Sequence, residues 1–129
     1  MNLETNKVTV NKSQEEVFNF LIDLNNFEQL MPESKEKFEV DGDSFLFALK
    51  GMPEIRLIMD SKTPNNQIVL GAASSKLSFA LTINIASLAD STSEVQLLFK
   101  GDFNPMMAMM VKKPLQNFIN TLSDNIQKL

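Results

Sequence analysis

The run Asn104-Pro105-Met106-Met107-Ala108-Met109-Met110-Val111-Lys112-Lys113-Pro114-Leu115-Gln116-Asn117-Phe118, continued to Leu129, decides how the rest of the chain must fold. Asn104 followed by Pro105 reads as a helix start. The Asn side chain can accept an amide of the first turn, and Pro has no N–H to leave unpaired at the first helical position. From there the apolar residues Met107, Val111, Leu115, Phe118, Leu122, Ile126 and Leu129 step by four, four, three, four, four and three. That spacing makes one continuous stripe along an α-helix over 105–129. Pro114 falls inside it, removing one ladder hydrogen bond and crowding the carbonyl of Met110, so a kink or local break is expected there. A stripe of this length needs an apolar surface to lie on.

The preceding residues supply that surface. Leu77, Phe79, Leu81, Ile83 and Ile85 alternate with Ser78, Ala80, Thr82 and Asn84, the cleanest strand pattern in the chain. Val95, Leu97, Phe99 and Phe103 alternate with Glu94, Gln96, Lys100 and Asp102. Earlier runs behave alike: Phe38 and Val40; Phe45, Phe47 and Leu49; Ile55, Leu57 and Met59; and the short stretch Gln67 to Gly71. Turn signals separate them at Asp41-Gly42, Gly51-Met52-Pro53, Thr63-Pro64-Asn65-Asn66 and Ala89 to Ser93, with a small-residue connection over Ala72 to Lys76. Residues 3–10 read as one further strand. Between it and the others, Ser13-Gln14-Glu15-Glu16 is a capping box that opens a helix with Val17, Phe18, Leu21 and Leu24 on one side. A second short helix, about Asn26 to Leu30, stops before Pro32.

The predicted class is therefore α+β, a single domain over 1–129. An antiparallel sheet of six to seven strands, apolar on one side, must cover that side, and the C-terminal helix is the only element long enough to do so. The sheet is expected to curl around the helix, leaving between them either packed core or a cavity.

Composition narrows what such a space could do. The chain has 129 residues, with 10 Phe and 8 Met but no His, Cys, Trp or Tyr. This excludes a Ser-His-Asp triad, imidazole or thiolate metal sites, disulfides, Fe–S clusters and His-ligated haem. Net charge is −4, with Arg56 the lone arginine, so no nucleic-acid partner is expected. The first sixty residues hold 12 acids and 6 bases, the remainder 4 acids and 6 bases, an asymmetry too small to name a partner. The N-terminal residues show neither a basic nor an apolar targeting region, and the longest apolar stretch, Met106 to Val111, is far short of a membrane span; a cytoplasmic protein without stable membrane insertion is expected.

With the element order in view, the chain resembles the START-like (SRPBCC) superfamily, the helix-grip fold of polyketide cyclases and lipid-transfer domains. The resemblance spans essentially the whole chain. It is carried by Glu16-Val17-Phe18-Asn19-Phe20-Leu21-Ile22-Asp23, by Asn26-Phe27-Glu28-Gln29-Leu30-Met31-Pro32, and by the tail from Asn104-Pro105-Met106-Met107 to Lys112-Lys113-Pro114-Leu115-Gln116-Asn117-Phe118. The Phe27 to Pro32 segment is similar to coenzyme Q-binding and carbon monoxide dehydrogenase-related members, and the whole to small bacterial polyketide cyclase/dehydrase-like proteins. The resemblance implies a hydrophobic ligand tunnel between sheet and C-terminal helix. It fixes no catalytic motif, because the superfamily has none that is invariant.

Strand parity names the candidate lining. Phe47, Leu49, Ile55, Leu57, Met59, Leu77, Phe79, Leu81, Leu97 and Phe99 share the inward face; Phe27 and Met31 are expected near the mouth; Met107, Met110, Val111 and Phe118 come down from the helix. Arg56, Asp60, Lys100 and Asp102 fall on the outward parity, Glu33 and Glu54 in loops, and no pair of carboxylates is forced onto one site. The run Met106 to Met110 supports ordinary core filling, a plastic pocket wall, a contact for a partner or membrane surface, or a thioether Cu(I) site. No cofactor, metal or catalytic residue is assigned. The expected function is binding or transport of a small hydrophobic ligand such as a lipid, isoprenoid or polyketide-like ring. The alternatives are a protein-interaction module with a filled interior, or a cyclase- or hydrolase-like enzyme, which would need convergent polar groups in the pocket.

Overall fold

The computed structural model describes residues 1–33, 35–50, 54–72 and 78–129. Its strands are β1 (Asn2–Glu4), β2 (Val8–Val10), β3 (Lys37–Asp41), β4 (Ser44–Ala48), β5 (Ile55–Thr63), β6 (Gln67–Ala72), β7 (Ser78–Ala89) and β8 (Thr92–Asp102). Its helices are α1 (Gln14–Ile22), α2 (Phe27–Leu30) and α3 (Pro105–Gln127). All pairings are antiparallel, in the order β1-β8-β7-β6-β5-β4-β3, with β2 also on β8.

The strand expected over residues 3–10 is two strands. Thr5 separates them: its hydroxyl accepts from the Leu97 amide at 3.0 Å where a backbone carbonyl would otherwise stand, and its own amide donates to the Leu97 carbonyl at 3.0 Å. A side-chain oxygen thus enters the ladder and re-aims the chain, giving eight strands rather than seven. The turns follow their chemistry. Gly42 takes φ +64° in the β3–β4 hairpin and Asn65 φ +66° between β5 and β6. The β7–β8 turn is tighter than the expected 89–93, because β7 runs to Ala89 and β8 begins at Thr92.

The helix starts are those read from the sequence. The Glu16 amide donates to Ser13 Oγ at 3.1 Å while the Ser13 amide donates to Glu16 Oε1 at 3.2 Å. The Met107 amide donates to Asn104 Oδ1 at 2.8 Å. The break expected at Pro114 does not occur: α3 is helical through it. The carbonyl deprived of its partner belongs to Met110, on the solvent-exposed side, where water can take the acceptor.

α3 lies across the inward face of the sheet, burying Val111, Leu115, Phe118, Ile119, Leu122 and Ile126. Gln116 Nε2 donates to the Glu4 carbonyl of β1 at 3.1 Å, and Asn125 Nδ2 to the Leu30 carbonyl of α2 at 2.8 Å. Phenylalanine rings link the layers. Phe27 of α2 stacks on Phe45 (centroids 5.2 Å), Phe45 meets Phe47 (5.9 Å), and Phe47 stacks on Phe118 of α3 (4.6 Å). A second cluster, Phe79, Phe99 and Phe103, closes the end of the sheet near the start of α3, with centroids 5.7 to 6.4 Å apart. Gly101 makes that cluster possible, since a Cβ there would lie 2.6 Å from the Phe103 ring.

Candidate functional site

Strand register places the inward parity as the alternation requires. Phe79 pairs with Gly101, Leu81 with Phe99, Ile83 with Leu97, and Phe45 with Leu57. Phe47, Leu49, Ile55, Leu57, Phe79, Leu81, Leu97, Phe99, Val111 and Phe118 are all buried in one core cluster; Met59 and Met107 are partly buried against it. Leu77 lies outside the described residues. These side chains largely fill the space between sheet and α3 by touching one another.

Two placements differ from expectation. Phe27 is fully buried against Phe45 rather than at a mouth, and Met31 is buried too, because the single turn of α2 stacks on β4 through the phenylalanine rings and is held to α3 through the Leu30 carbonyl. Met110 points to solvent with 63% exposure, as do Met106 (75%) and Met109 (85%). The helical turn of about 100° per residue carries position 110 off the stripe that buries Met107, Val111 and Leu115.

A cleft of about 210 Å³ stays open on the flank of α3. Its apolar floor is Leu49 and Phe118; Pro32, just past α2, and Pro114 form its walls; Lys50, Asn117 and Thr121 stand at its polar side. The cleft exists because Pro114, Asn117 and Thr121 occupy one flank of α3, beside the inward stripe, and because β4 ends just before Leu49. Thr121 Oγ1 donates to the Asn117 carbonyl at 2.9 Å, so the hydroxyl oxygen retains acceptor capacity. Of the fifteen described residues expected to line a cavity, Leu49 and Phe118 line this cleft, while Phe79 borders the hollow on the outward face and Phe99 a hollow of about 430 Å³ beside β1. Strand parity does not point to Pro32, Lys50, Pro114, Asn117 or Thr121 as lining. The signal for the helix residues is a second stripe, Met110, Pro114, Asn117 and Thr121, at spacings of four, three and four.

A larger hollow, about 580 Å³, lies on the opposite, outward face. Ile58, Gly71, Ala80 and Lys100 form one cross-strand rung through it, with Asp60 and Asp102 beside them. It reflects small side chains on the outward rungs, and its carboxylates and ammonium are exposed. Among the described residues, the buried polar side chains are Thr5, Ser44, Ser93 and Ser123, none of them ionisable. Arg56 points outward as its parity requires, donating to Ser44 Oγ at 2.9 Å. The carboxylate with a displaced titration, Glu16, is at the start of α1: the Ser13 amide first, then its hydroxyl, hold its pKa below the ordinary 4.5. No cluster of three potential metal-binding His, Cys, Asp or Glu side chains occurs among the described residues.

No protein-family model matches the sequence, and no curated protein matches it significantly. Solved structures do match along the full length. A START superfamily protein from Mycobacterium smegmatis superposes with a TM-score of 0.68 at 12% identity, covering 98% of this chain and 97% of that one. A Thermus thermophilus protein gives 0.74 at 13% identity, covering 99% and 95%. Norcoclaurine synthase from Thalictrum flavum, in complex with dopamine and hydroxybenzaldehyde, gives 0.72 at 13% identity, covering 99% and 86%.

The chain has the START-like helix-grip fold. At these identities the likeness is one of fold. The helix-grip architecture accounts for the curl of the sheet around α3 and for a cleft where the helix flank meets the strand ends. No described helix is long and apolar enough to cross a membrane.

Proposed function

We propose that the protein binds a small hydrophobic ligand in the cleft between α3 and the ends of α2 and β4. The observation that carries this reading is the floor made by Leu49 and Phe118, apolar and continuous with the core, facing a rim of Lys50, Asn117 and Thr121. An apolar body on that floor with a polar or acidic end toward Lys50 matches both halves of the lining. The volume, about 210 Å³, lies below the roughly 300–1,000 Å³ of drug-sized sites, which suits a single ring, a short chain or one end of a longer lipid. A larger ligand would have to displace Phe118. The dopamine and hydroxybenzaldehyde complex of the norcoclaurine synthase is a precedent for small aromatic molecules on this fold. Binding is favoured over acid–base catalysis because the buried inward positions are aliphatic and aromatic.

A protein-interaction module is the second reading, favoured by the largely filled interior and by exposed Met106, Met109 and Met110. Native mass spectrometry of freshly purified protein, followed by organic extraction, separates the two. A retained apolar species supports the ligand reading and gives its class. A clean apo mass that persists after incubation with short-chain acids and aromatic aldehydes contradicts it.

A further inference from the structure

We infer that the N-terminal half of α3 is a docking surface for an anionic lipid bilayer. The exposed thioethers of Met106, Met109 and Met110 occupy positions i, i+3 and i+4, so they form one contiguous apolar face rather than scattered surface residues. Lys113 continues that face, and Lys112 is exposed beside it. From Pro105 to Ser123 these two lysines are the only charged residues of α3, in a chain of net charge −4. Asp102, before the helix start, belongs to the outward face of β8. Apolar tips flanked by local positive charge are complementary to acyl chains beneath anionic headgroups.

The size of the patch separates a lipid surface from a protein one. A standard protein interface engages roughly 20–30 residues a side, whereas the exposed core here is a few side chains long. A bilayer needs no shape complementarity from them, and flexible thioethers suit a fluid partner. The same cationic lysine on the Met face opposes a Cu(I) site there.

The patch also leads toward the cleft. Met106, Met110, Pro114, Asn117 and Thr121 step by four, four, three and four, one stripe from the exposed methionines to the cleft lining. A ligand drawn from the bilayer would follow that stripe; this route, unlike the docking itself, rests on the ligand reading of the cleft.

The test is co-flotation of the full chain with phosphatidylcholine vesicles and with vesicles containing about a third phosphatidylglycerol. The wild type should float with the anionic vesicles and about tenfold less with the neutral ones, and high salt should release it. M106Q/M109Q/M110Q and K112E/K113E should each reduce flotation at least about fivefold, with unchanged thermal unfolding and unchanged octanoate binding in the absence of vesicles. Absence of wild-type flotation, or flotation undiminished in the triple Met variant, overturns the proposal, the former leaving the patch to a protein partner. Wild-type flotation lost in the triple variant, in a protein that binds no octanoate, would contradict the cleft reading while supporting docking.

Discussion

The ring of Phe118 on α3 lies 4.6 Å from that of Phe47 on β4, their planes 14° from parallel. Both are buried, and Phe118 is at once a core ring and part of the cleft floor. Phe118→Ala should therefore cost about 3–5 kcal/mol in urea unfolding, and a cycle with Phe47→Leu should show coupling of about 0.5–1.5 kcal/mol. Phe118→Leu, the milder change, should keep the fold and widen the cleft, so that a bulkier aromatic probe binds more tightly than to wild type. Unaltered stability in Phe118→Ala would show that the stack does not hold helix to sheet.

Gly101 owes its identity to the phenylalanine cluster. An added Cβ would stand 2.6 Å from Phe103 and 3.2 Å from the Phe79 Cβ. The Phe103 ring can swing away, but Phe79 is anchored in β7. Gly101→Ala should lower stability by about 1–3 kcal/mol, and Phe103→Leu in the same chain should recover part of that loss. Additive effects of the two changes would mean that the ring contact is not the cause.

The capping box predicts a limited pH effect. Folding lowers the Glu16 pKa, chiefly through the hydrogen bond from the Ser13 amide, so the folded state holds this proton less tightly than the unfolded chain. The associated stability is fully present above the ordinary value of 4.5 and is lost as pH falls through the lowered folded value. Comparing wild type with Glu16→Gln, whose amide oxygen can still accept from Ser13, the difference in thermal midpoint should be constant at neutral pH and change only in that acid window. A difference that instead changes between pH 6 and 8 would contradict the assignment.

The fold was legible because its signals were local and repeated. Alternation set the inward face of β4, β5, β7 and β8, and the stripe through Leu115, Phe118 and Leu122 fixed what covers it. The site was less legible, for physical reasons. Parity says that Leu57, Leu81 and Leu97 face inward but not whether they meet one another or a void. That depends on how closely α3 approaches, which the Phe47–Phe118 stack decides. Met110 directly precedes the buried Val111, yet its helical angle turns it out. The cleft residues Asn117 and Thr121 are polar, so an apolar pattern does not include them. Thr5, which splits the first strand, acts through one hydroxyl in the ladder, and an isolated Thr in a strand gives no warning of that.

Lys50 bears on the kind of ligand. Its ammonium is exposed at the cleft rim, so its attraction for an acidic end is screened. Lys50→Ala should weaken octanoate binding by up to about fivefold and leave octanol binding unchanged, as read by calorimetric titration. Equal losses for both ligands would remove Lys50 from head-group recognition.

The central claim, that the flank of α3 holds an apolar ligand, is tested most directly by amide chemical-shift mapping during octanoate titration of the isotopically labelled chain. The account predicts saturable shifts concentrated at Leu49, Lys50, Asn117, Phe118 and Thr121, abolished by a bulky Thr121→Phe. Shifts concentrated at Ile58, Ala80 and Lys100 on the outward face, or no saturable shifts at all, would contradict it.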